Sequence, residues 1–203
     1  MSLTSKITPS LIKATTETIE QNAEEVTALD QVLGDGDHVT NLQRGLDALN
    51  QQALEISQLE WTPAIKKIGM TLLSTMGGAS GSLFGTLFIS MSKAMGDKTE
   101  LNSQVFADIF YQGVEAVKKR GKAEAGEKTM LDVLIPVAEK LKQGATAEDI
   151  CQIAIEGMES TRNMKATKGR ASYLEAKSIG HIDAGARTCQ LMICAIAGIL
   201  SKA

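Results

Sequence analysis

Between Leu29 and Leu42 the chain reads LDQVLGDGDHVTNL, which puts Asp30, Asp35 and Asp37 in one short turn. Gly34 and Gly36 let the backbone bend sharply enough to aim these carboxylates at a common point. Three converging acids repel one another and shift their pKa values unless a cation sits among them. A hard divalent ion such as Mg²⁺ takes oxygen ligands of this kind, keeps several waters and shares phosphate oxygens. A calcium loop of the EF-hand type begun at Asp35 would need glycine where Thr40 stands and glutamate where Leu46 stands. Zinc is poorly served by two histidines and no paired cysteines. Taken alone, GDGD is equally compatible with an Asp-Gly turn whose acids are simply solvated.

A second unusual stretch is GGASGS, Gly77 to Ser82, which runs directly into an amphipathic pattern. Glycines permit close approach, and the first turn of a helix presents N–H groups without intrahelical partners, a geometry that suits anions. It lacks the Gly-Lys-Ser/Thr of a P-loop and the βαβ setting of a dinucleotide fingerprint, and by itself it also fits a flexible helix start. A third stretch, Asn163 to Asp183, is too long for a mere connector and carries Arg170, Lys177, His181 and Asp183. Arg170 has the forked donors that suit phosphate, and equally those of a surface ion pair. A lone histidine such as His38 or His181 is more often a structural hydrogen-bonder than a catalyst.

The elements that position these residues are helical. Apolar residues make up 43% of the 203 residues and aromatics only 3%. The core is therefore Leu, Ile, Ala, Met and Val, a composition that favours helices over sheets. Apolar positions recur at spacings of three and four in eight stretches. These run over 11–33, 42–53, 62–76, 83–95, 102–117, 131–141, 146–158 and 184–200. Thr8 with Pro9, and Thr62 with Pro63, read as cap and first-turn pairs. Asn102 or Ser103 would cap the fifth stretch, and the seventh starts at Thr146. No period-two alternation is sustained. The expected fold is all-α, an up-and-down antiparallel bundle formed by one domain over residues 1–203.

In such a bundle the connections after the first, third, fifth and seventh helices share one rim. They are GDGDHVTN, MGGASGS, RGKAEAGEKT and KGRASYLEAKSIGHIDAG, and every chemically unusual stretch is among them. The loop from Gly121 to Thr129 is small and polar and is expected to be mobile. The opposite connections are ordinary polar loops. An acidic turn and a glycine-rich helix start on one rim make phosphate the economical ligand. Carboxylates hold the metal, and metal and backbone amides hold the phosphate.

A net charge of −3 gives no basic face for nucleic acid. The short cluster KKRGK, Lys118 to Lys122, reads as a solvated helix end in preference to a phosphate or partner contact. No apolar run reaches membrane-spanning length, and the N-terminus has no signal-peptide core. Cys151, Cys189 and Cys194 fall in apolar helical patterns, so the expectation is reduced core thiols in a cytoplasmic protein.

Four motifs, GDGDHVTN, GGASGSLFG, KTMLDVLIP and GRASYLEAKSIGHIDAGA, occur in this order over nearly the whole chain. Together they resemble the L subunit, DhaL, of bacterial dihydroxyacetone kinases. The resemblance implies a closed barrel of eight antiparallel helices. It implies that Asp30, Asp35 and Asp37 bind two Mg²⁺ ions, and that His38, Thr40, Asn41, Ala79, Ser80, Gly121, Met130, Arg170, Asp183, Ala184 and Gly185 contact ADP or ATP. It further implies a phosphotransferase active only with partners. By the same resemblance, an M-type phosphocarrier subunit, charged from phosphoenolpyruvate, would convert the tightly held ADP to ATP, and the γ-phosphoryl would then pass to dihydroxyacetone on a K-type subunit. Val39 replaces the last glycine of the usual GDGDHG, and Ser82 and Ala184 stand where proline is common. Val39 raises the alternative of a nucleotide-sensing subunit that docks on a transcriptional regulator, or of service to a different hydroxyketone.

Overall fold

The computed structural model describes residues 3–202; Met1, Ser2 and Ala203, which the expected 1–203 domain includes, lie outside the described residues. A 3₁₀ turn, Ser5–Ile7, leads into α1 (Thr8–Gln21) and α2 (Ala23–Leu33). There follow α3 (His38–Ser57), α4 (Trp61–Thr75), α5 (Gly78–Met95), α6 (Ser103–Gly121), α7 (Leu131–Lys142) and α8 (Ala147–Ser160). Two further 3₁₀ segments, Thr161–Asn163 and Arg170–Ser178, precede α9 (Ala184–Leu200).

Each helix from α3 to α9 packs on the next, α1 packs on α3, and α9 returns against α1. Eight helices thus close a ring around a core that includes Ile19, Leu42, Ile56, Met95, Ile109, Leu131 and Leu134. The ring is the all-α barrel that the sequence leads one to expect.

The ninth helix arises because the first apolar stretch breaks at Asn22. Its backbone leaves helical geometry (φ −111°, ψ 11°), and its side-chain Nδ2 donates to the Thr18 carbonyl at 2.8 Å. A side chain that competes for helix carbonyls favours such a break. The freed segment, α2, lies against α9, α3 and α1 and carries Asp30 to the rim.

Three helix starts agree with the sequence reading and two do not. Asn102 accepts from Val105 N–H at 2.9 Å, and Thr146 forms a reciprocal capping box with Asp149. Asp183 caps α9 through Ala186 N–H at 2.8 Å. Thr8 lies inside α1 and bonds back to the Ser5 carbonyl at 2.7 Å, because the 3₁₀ turn supplies the entry. Thr62 is likewise inside α4, with its hydroxyl on the Gly96 carbonyl at 2.7 Å.

The cysteine expectation is overturned. Cys151 of α8 and Cys194 of α9 are joined in a disulfide, with Cα atoms 4.8 Å apart, and Cys189 is the free, buried cysteine. Periodicity places each cysteine on an apolar face but does not show that two such faces meet. Thiol titration of the denatured, unreduced protein is therefore expected to count one thiol, rising to three after reduction; three without reductant would refute the bond. Among the described residues, no helix is long and apolar enough to cross a membrane.

Candidate functional site

The acid turn is built by two helix ends. Helix α2 stops at Leu33, and Gly34 N–H closes back on the Asp30 carbonyl at 2.6 Å. Gly36 takes φ +76°, a left-handed conformation that glycine adopts at no steric cost. The Asp30 carboxylate accepts the His38 N–H at 3.1 Å, which fixes it across the turn at the start of α3. Asp30, Asp35 and Asp37 each offer one carboxylate oxygen, all within 4.8 Å of one another. The donors are oxygen only, which fits a hard divalent cation. Arg170 reaches over from the last long loop to Asp35 at 2.7 Å.

His38 joins three connections. Its Nε2 lies 3.0 Å from Thr188 Oγ1, and its Nδ1 lies 3.0 Å from Ser80 Oγ. The Thr188 hydroxyl hydrogen is spent on the Gly185 carbonyl at 3.0 Å. Thr188 must then accept from His38 Nε2–H, and Nδ1 accepts from Ser80. Burial holds the His38 pKa below its ordinary value, against the raising influence of Asp30 and Asp37. The imidazole is a neutral strut that sets the rotamer of Ser80.

Gly78, Ala79 and Ser80 form the first turn of α5 and face the acid turn across the cleft. Gly78 has φ +66°, and buried Asn41 closes against the Gly77–Gly78 backbone. The cleft measures about 400 Å³. It is walled on other sides by Gly121 to Leu131, by Lys168 to Ala171 and by Asp183 to Gly185. All four same-rim connections therefore meet in one cavity. Leu33, Leu83, Phe84, Val117 and Met130 give it apolar walls.

Of the residues expected at a site, Asp30, Asp35, Asp37, His38, Asn41, Ala79, Ser80, Gly121 and Met130 line this cleft, as do Arg170, Asp183, Ala184 and Gly185. Thr40 does not; it is exposed on α3, turned from the cavity by the helical period. Lys177 and His181 also lie outside its lining. Burial pushes Asp183 up to about 6, against the Ala186 N–H that it caps.

Val39 points into the hydrophobic core, not toward the cleft. Ala184 is buried at the first position of α9, where a proline would serve as well. Ser82 accepts from Arg120 Nε at 2.8 Å, which brings one cation of the KKRGK cluster to the cleft; Lys118 instead pairs with Glu115 and Glu124.

The Gly121–Thr129 loop, for which mobility is expected, is held by hydrogen bonds at several points. Buried Asp132 accepts from Thr129 N–H at 2.7 Å and also from Gly126 N–H. Glu127 accepts from Glu124 N–H at 2.7 Å and from the Thr167 hydroxyl at 3.0 Å. Composition alone cannot reveal these bonds, since their acceptors lie outside the loop or at its far end. Lys128, Arg120 and Thr188 are site residues that the sequence reading passed over. The one signal for Lys128 was its place as the first residue of the motif KTMLDVLIP.

The family model for the DAK2 domain matches residues 32–198. The ADP-binding subunit DhaL of PEP-dependent dihydroxyacetone kinase 1 from Listeria innocua is 43% identical over 87% of this chain and 87% of its own. The corresponding DhaL subunit from Escherichia coli is 41% identical over 84% of this chain and 85% of its own. Among solved structures, the C. freundii dihydroxyacetone kinase in complex with AMP-PNP and Mg²⁺ superposes with a TM-score of 0.77 at 22% identity. It covers 98% of this chain, which spans 34% of that longer one, and the likeness shows a common fold.

Proposed function

The chain belongs to the DAK2-domain family as a DhaL-type dihydroxyacetone kinase subunit, and we propose that it holds ADP or ATP with two Mg²⁺ in the rim cleft for phosphoryl transfer to dihydroxyacetone on a K-type subunit. An M-type phosphocarrier recharges the nucleotide in place. The observation that carries this reading is the meeting of four separate connections in one cleft, with three acids within 4.8 Å of one another facing the first turn of α5.

Phosphoryl transfer asks a protein for positioning and charge neutralisation more than for covalent chemistry. Asp30, Asp35 and Asp37 would hold Mg²⁺, which would supply neutralisation of the charge that develops on the transferred phosphoryl group. The free amides at the start of α5 take phosphate oxygens, and Ser80 is held in place there by His38. Arg170 is within reach of the same anions from its seat on Asp35. Gly121, Met130 and Gly185 leave an apolar slot that suits a purine. Val39 gives the sensor reading no support, since it lies in the core.

Native mass spectrometry of the protein purified in magnesium buffer tests the proposal. The expected spectrum shows one retained ADP with its metal ions. A bare polypeptide that also gains no nucleotide on addition of ADP and Mg²⁺ would overturn it.

A further inference from the structure

Lys128 is a charged side chain with almost no exposure, 1%, and phosphoryl transfer as described above makes no use of it. Its backbone is left-handed, φ +61°, which a non-glycine residue adopts only where its surroundings impose it. Its ammonium donates to two main-chain carbonyls, those of Thr161 and His181. Asp183 and Asp132 are the carboxylates near enough to act on it electrostatically, and Arg162 is the nearby cation.

These bonds connect the two halves of the cleft wall. Lys128 stands two residues before Met130. His181 stands two residues before Asp183, whose own N–H donates to the Thr161 hydroxyl at 3.1 Å. Glu127, the neighbour of Lys128, reaches the same long loop through Thr167 and Lys168. A buried ammonium is costly unless paired, so its presence here implies that the carbonyls and acids around it are arranged to hold it. An apolar residue of similar length, such as methionine, offers neither carbonyl a donor. Of the acids of the metal turn, Asp30 belongs to α2 and Asp35 and Asp37 to the connection before α3, and no hydrogen bond joins them to Lys128.

We propose that Lys128 is a positioning residue that pins the Gly121–Met130 connection to the entry of α9, so fixing the gap between Met130 and Asp183–Gly185 in which the nucleotide sits. The inference rests on the nucleotide-binding reading above. It assigns Lys128 no phosphate contact, because two of its three donors are spent on main-chain carbonyls.

The test compares Lys128→Met and Lys128→Arg with the parent protein in three measurements on the full chain. These are amide hydrogen exchange without nucleotide, Mn²⁺ affinity without nucleotide, and ADP affinity at saturating Mg²⁺. For Lys128→Met, exchange should rise in 121–130 and 161–183 while α4 and α5 stay protected. Its ADP dissociation constant should rise at least tenfold, and its Mn²⁺ affinity should stay within twofold of the parent. Lys128→Arg keeps the charge and should show the same pattern at about threefold in ADP affinity. If Lys128→Met does not fold, the arginine variant decides. An unchanged ADP affinity, or exchange that rises evenly across all helices, overturns the proposal. A parent protein that binds no ADP would defeat the nucleotide reading alone, and the exchange data would still decide whether Lys128 pins the two segments.

Discussion

Asp35→Asn is expected to lower Mg²⁺-dependent ADP affinity at least about 100-fold, or ~2.8 kcal/mol. The substitution is nearly isosteric, so packing is spared. It removes one of the carboxylate oxygens that lie within 4.8 Å of one another, and with it the charge that pairs with Arg170 at 2.7 Å. Outer partners of a metal site are worth roughly 10–100-fold, and a direct ligand should cost no less. With two Mg²⁺ as proposed, only two acids would be left to offset the repulsion between the ions. Titration calorimetry at fixed Mg²⁺ measures the effect, with Asp97→Asn, an exposed acid in the loop after α5, as the control. The apoprotein should melt no lower than the parent, because the change relieves like-charge crowding. An ADP affinity within threefold of the parent would mean that these acids do not carry the metal.

Gly157→Val is expected to destabilise the fold by about 3 kcal/mol, a loss of ~6–12 °C in Tm for a chain of this size. The reason begins with Pro136 inside α7. A proline has no N–H to offer the carbonyl four residues before it, here that of Asp132. Gly157 of α8 lies directly against this freed carbonyl: an added Cβ would overlap the Asp132 oxygen and sit 3.1 Å from Val133 Cα. These are backbone atoms and cannot rotate away. Helices α7 and α8 would have to part where Asp132 anchors the Gly121–Thr129 loop, so ADP affinity should fall along with Tm. Thermal melting of Gly157→Ala and Gly157→Val gives the series, in which valine should be the worse. A valine variant that melts with the parent would show that the two helices have room to spare.

The helices were legible because each buries a continuous stripe, and spacing in the chain reports that directly. Leu131, Leu134 and Ala138 read as the inner face of α7 and are buried there. The antiparallel bundle could be anticipated from short connections, its closure into a ring only from the family resemblance, and the rim from the fact that alternate turns must share an end. Asp30, Asp35 and Asp37 could be recognised because their convergence is local, set by two glycines within eight residues. The break at Asn22 was not legible, since asparagine tolerates helix and turn alike and neighbours decide. The disulfide, the buried Lys128 and the tie of Gly157 to Asp132 were hidden for a common reason.

What the sequence determined by itself is the set of stripes, the order of the turns and the chemistry each turn carries. Those follow from interactions within one or two helical turns, which the order of residues encodes directly. Tertiary structure alone decided which groups meet across the rim: Cys151 with Cys194, His38 with Thr188, and Lys128 with the carbonyls of Thr161 and His181. Such partners lie 33 to 150 residues apart, and they are chosen by how eight helices pack around a shared core.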